Sequence, residues 1–61
     1  MKLWIARDKN GYLKGYNEIP QKKEEYGFFF MKMWYDLDNR LFPEVTWQNS
    51  PQQVELKLVT K

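Results

Sequence analysis

Sixty-one residues carry ten basic and eight acidic side chains, a formal net charge of +2, and neither Cys nor His. That composition excludes disulfide staples, zinc sites built on Cys and His, and catalysis by a thiol or an imidazole-activated hydroxyl. A chain this short buries only about 60% of the surface its unfolded form exposes, so its four Phe, four Tyr and three Trp must supply the core.

The first element in chain order is a hairpin. Lys2 to Arg7 and Tyr12 to Tyr16 are rich in strand-favouring residues. Between them Asp8-Lys9-Asn10-Gly11 predicts a type I turn with Gly11 in the left-handed region. Asn17 to Glu25 reads as a polar connector, in which Pro20 closes a strand or confines it to an edge. Lys22-Lys23-Glu24-Glu25 reads there as a solvated loop or one helical turn.

Tyr26 to Asp36 has two readings. Its apolar positions match one helical face, but its Phe, Tyr and Trp content and Gly27 favour a strand. The strand is preferred, central or used for association. Phe29, Met31, Met33 and Tyr35 then share one face, and Phe28, Phe30, Lys32, Trp34 and Asp36 the other. Further on, Leu37 to Arg40 is turn-like and Leu41 to Glu44 suits a short 3₁₀ turn. Val45 to Trp47 is extended, and Asn49-Ser50-Pro51 turns again. Val54 to Val59 alternates as a half-buried strand, with Val54, Leu56 and Leu58 inward.

The fold class these readings give is mainly β. It is a small antiparallel meander of four or five strands forming one domain over 1–61, with room for one short helical turn. The alternative is α+β with a helix at about 22–37.

Two segments carry a resemblance. Trp4-Ile5-Ala6-Arg7-Asp8 with Gly11-Tyr12-Leu13, and Leu41 to Pro51 with Val54-Glu55-Leu56, resemble the opening and closing segments of short proteins of gut bacteria and their phages. That family has no established activity, so the resemblance implies a bacterial or phage origin and transfers no site residue.

Motifs for chemistry are weak. Asp8 begins something like a calcium loop, but the twelfth position, which needs a carboxylate, is Ile19. Asp36 and Asp38 with Glu44 suit an ordinary solvated turn better than a metal site. Gly11, Gly15 and Gly27 form no phosphate loop. No base is placed to activate Ser50, the one serine. The expectation is therefore a non-enzyme without cofactor or metal.

Rings and basic residues do interleave. Phe30 and Trp34 flank Lys32, and Tyr12 and Tyr16 flank Lys14. Most rings of so small a domain belong to its core, and those left outside mark a contact site. The expected function is a cytoplasmic binding module for a protein partner, either a second copy or, given the implied origin, a host protein met by a phage adaptor or inhibitor. Two rivals stand beside it. One is single-stranded nucleic-acid binding by ring stacking and basic residues. The other is a small-ligand or nucleotide sponge, with Arg7, Arg40 or Lys32 meeting a phosphate. No apolar run is long enough to cross a membrane as a helix.

Overall fold

The first hairpin forms where Asn10-Gly11 places its turn. Strand β1 (Lys2–Arg7) pairs antiparallel with β2 (Leu13–Tyr16), Trp4 lying opposite Tyr16 and Arg7 opposite Leu13. The structure is a computed structural model that describes residues 2–55. The Gly11 N–H donates to the Asp8 carbonyl at 2.9 Å, and the Asp8 N–H to the Tyr12 carbonyl at 2.8 Å. Gly11 has φ +96°, a conformation that residues with a Cβ rarely adopt.

Four further strands complete the described chain: β3 (Gln21–Lys23), β4 (Phe28–Phe30), β5 (Tyr35–Asp36) and β6 (Gln52–Glu55). A four-stranded sheet runs in the order β5-β2-β1-β6, and β3 with β4 forms a separate two-stranded sheet. Every pairing is antiparallel. The fold is thus mainly β, with six short strands where the sequence suggests four or five.

Tyr26 to Asp36 is neither one strand nor a helix. It divides between β4 in the small sheet and β5 at the edge of the large one, with a bend at Lys32-Met33. The small sheet ends where Gln21, the last residue opposite β4, faces Phe30. The pair Lys22-Lys23 is strand rather than loop or helical turn. Glu24 to Gly27 makes the turn, the Tyr26 and Gly27 N–H groups both donating to the Lys23 carbonyl.

The later segments also differ from expectation. Instead of a 3₁₀ turn at 41–44, Phe42 to Val45 closes a turn through the Val45 N–H and the Phe42 carbonyl at 2.9 Å. Thr46 and Asn49 exchange side-chain-to-backbone hydrogen bonds, so Val45 to Trp47 is not an extended strand. The closing strand begins earlier than expected, at Gln52. Val54 is half-buried as expected, and Leu56 to Val59 lie outside the described residues.

The first hairpin is the centre of the molecule because both its faces are covered. On one face Ile5, Leu13 and Val45 are buried with Leu3, Leu37, Phe42 and Val54 against them. On the other, Ala6, Tyr16 and Phe29 are buried with Trp4, Met31 and Trp47. The tail covers the first face and the β3–β4 hairpin the second.

Two polar anchors hold these covers. The Arg7 guanidinium donates to the carbonyls of Val45, Gly11, Asn39, Leu41 and Phe42 at 2.6–3.1 Å. All five of its N–H donors are engaged. The buried Asp8 carboxylate accepts the Phe29 N–H at 2.9 Å and has the Lys14 ammonium at 3.5 Å. The adjoining Lys9 N–H donates to the Gly27 carbonyl at 2.8 Å, joining the two hairpin turns.

Candidate functional site

Of the residues singled out by sequence, Phe30, Trp34 and Tyr12 are about half exposed, at 52, 49 and 55%. Lys32 is exposed on the bend. Tyr16 is a correction: it is wholly buried, in the cluster with Ala6 and Phe29, and cannot meet a partner. Its hydroxyl is buried without a hydrogen-bond partner among the described residues. Burial, then the Asp8 and Asp36 carboxylates, push that hydroxyl up to about 12. The alternation that put Tyr12, Lys14 and Tyr16 on one face could not reveal that the β3–β4 hairpin covers the far end of that face.

Phe30, Lys32 and Trp34 do not share a strand face, because the bend separates them. Each ring instead gains its own cation. Lys23 lies 6.0 Å from the Phe30 centroid, and Lys14 lies 5.2 Å from the Trp34 centroid. Lys14 therefore joins the two triplets from opposite ends of the sequence reading, meeting Asp8 on one side and Trp34 on the other. Lys22 does related work internally, donating to the Trp47 carbonyl at 3.0 Å and lying 4.5 Å from that ring.

The site that emerges is the β5 edge. Asp36 stands opposite Lys14, and Tyr35 opposite Gly15. A groove of about 450 Å³ beside them is lined by Tyr12, Lys14, Asp36, Leu37 and Asn39. The Leu37 N–H donates to the Leu13 carbonyl at 3.1 Å, so residues 35 and 37 turn their backbone groups toward β2. Asp36 consequently directs its own outward along the open edge. Met33, Trp34 and Tyr35 are all about half or more exposed there. The sequence reading runs one strand through residues 26–36, so it does not separate this edge from β4.

Among the described residues no group of three or more acidic side chains is placed to hold a metal ion. Asp38 is engaged by Arg40 at 2.8 Å, and this hydrogen bonding holds the Asp38 carboxyl below its ordinary value. Arg7, read as a phosphate ligand in the sponge alternative, is committed to five carbonyls. No helix among the described residues is long and apolar enough to cross a membrane. Comparison of the chain with protein-family models, with curated proteins and with solved structures finds no match to any of them.

Proposed function

We propose that this domain is a non-enzymatic protein-binding module, and that its contact surface is the β5 edge with the rings beside it. One observation supports this reading above the others. Met33, Trp34 and Tyr35 stay exposed at the entry to β5, an edge strand with no neighbour on its outer side among the described residues. A partner strand laid there satisfies the outward backbone groups of Asp36, while Trp34 and Tyr35 supply the rigid aromatic anchors that dominate protein interfaces. Phe30, on the outer face of β4, is the second anchor. The resemblance to short phage and gut-bacterial proteins suits an adaptor or inhibitor acting on a cytoplasmic host protein.

The test is capture by the immobilised domain from a bacterial lysate, comparing parent and Phe30→Ala/Trp34→Ala. Both rings are half exposed, so the double variant keeps its thermal midpoint and loses the captured protein. Equal capture by the variant, or its unfolding, removes the proposed surface. Capture that collapses between about 50 and 200 mM salt and vanishes on nuclease treatment assigns the surface to nucleic acid instead.

A further inference from the structure

Independently of any partner, we propose that Asn10 is a self-modification site: the Gly11 nitrogen attacks the Asn10 side-chain amide, and the folded turn holds the reaction off until it opens. The chemistry needs only solvent. The deprotonated Gly11 nitrogen bonds to the Asn10 Cγ, the Cγ–Nδ2 bond breaks, and the nitrogen takes up protons and leaves as ammonia. Water then opens the resulting cyclic imide at either carbonyl. One opening gives Asp. The other gives isoaspartate, in which the main chain runs through the side-chain carbons. The net change is water consumed and ammonia released.

Of the four asparagines, only Asn10 precedes a glycine. The others precede Glu18, Arg40 and Ser50, whose side chains crowd the attacking nitrogen. Two of them are also held: Asn39 Oδ1 accepts the Leu13 N–H at 3.0 Å, and Asn49 Oδ1 accepts the Thr46 N–H at 2.8 Å while its Nδ2 donates to the Glu44 carbonyl at 2.8 Å. Asn10 is exposed, and beyond its chain neighbours no atom lies within 4 Å of where a Cβ on Gly11 would stand. Hydrogen bonding is what restrains it. The Gly11 N–H donates to the Asp8 carbonyl at 2.9 Å, so the nitrogen that must lose its proton is the one that closes the turn. The Tyr12 N–H, 3.2 Å from Asn10 Oδ1, ties the carboxamide to the backbone beyond Gly11. The reaction therefore draws on the opened turn. Isoaspartate lengthens the main chain by a carbon inside this turn, and either product takes the formal net charge from +2 to +1. The same turn carries the Lys9 bond to the Gly27 carbonyl and the Asp8 bond to the Phe29 N–H, so its lengthening loosens the β3–β4 cover as well.

Incubation of the whole chain at mildly alkaline pH, in buffer and in guanidinium chloride, tests this. Peptide mapping by mass spectrometry, with isoaspartyl-specific methylation to separate the two products, places the first conversion at Asn10. It runs slower in buffer than in denaturant by about tenfold or more. Asn10→Gln removes the conversion, because its longer side chain closes the larger ring far more slowly. The isoaspartyl form, isolated by ion exchange, melts below the parent. Freshly prepared Asn10→Asp, which adds the charge without the extra main-chain carbon, melts close to the parent. First conversion at Asn17, Asn39 or Asn49 overturns the site. An equal or faster rate in buffer overturns the restraint by the turn. An isoaspartyl form that melts with the parent, or with Asn10→Asp, overturns the part given to main-chain length.

Discussion

Tyr16 shows how little a residue's type says about its task. It sits in an alternating ring-and-lysine pattern that suggests a surface, yet its ring is core and its hydroxyl is buried with no partner among the described residues. Removing a buried, unpaired hydroxyl costs little or stabilises. Tyr16→Phe is therefore expected to match or exceed the parent at neutral pH in urea unfolding. The alkaline limb distinguishes it further. The hydroxyl is raised from 10.0 to about 12 in the folded state, so its contribution is fully present below pH 10. Between pH 10 and about 12 the unfolded chain has lost this proton and the folded chain has kept it, so stability falls. Tyr16→Phe flattens that part of the parent's decline. A variant that loses more than about 1 kcal/mol at pH 7 shows that the hydroxyl has a partner after all. Asp8 carries the opposite lesson. Its turn-entry role was legible, but its carboxylate also braces the Phe29 N–H, twenty-one positions away.

Elements were legible where local chemistry alone decides them. Asp8 to Gly11 specifies its turn by positive φ and short-range hydrogen bonds, so the first hairpin appears with β1 at its expected bounds and β2 one residue shorter. The pair Lys22-Lys23 was not legible as strand, because two lysines look solvated until Trp47 and Phe29 supply faces for the Lys22 stem and ammonium. The division of residues 26–36 was hidden for a related reason. Apolar groups on both faces leave the period undecided, and no residue type inside the segment marks where it passes from the small sheet to the large one. The candidate surface was blurred accordingly: the sequence placed Trp34, Lys14 and Tyr12 in separate strands, and the sheet brings Lys14 beside Trp34 and beside Tyr12 in the groove at β5. The tail is held by a device that a sequence pattern does not contain, the five bonds of Arg7. Arg7→Lys keeps the charge but has too few donors and no planar fork. It is expected to lose about 2–3 kcal/mol in urea unfolding, with faster hydrogen exchange at the Val45 amide. Full stability in that variant shows that the tail is held by its apolar contacts alone.

The molecule as a whole is a central hairpin with a cover on each face, and the covers come from later in the chain. The Arg7 N–H reaches the Ser50 hydroxyl, and β6 lines up along β1 from Ile5 opposite Gln52 to Lys2 opposite Glu55. Such distant pairings slow folding, because loops close before contacts reward them. Refolding followed by tryptophan fluorescence is expected in the millisecond-to-second range rather than in microseconds. Microsecond refolding shows that the covers add little to the barrier.

The place of β1 has a further consequence while the chain is being made. The strand at the middle of the large sheet is polymerised before all of its neighbours. At about 5–20 residues per second, translation from Arg7 to Gln52 takes a few seconds. Through most of that interval the nascent chain carries Leu3 and Ile5 before Phe42, Val45 and Val54 have been added. Its exposure to chaperones and to neighbouring nascent chains is therefore set by the pace of the ribosome.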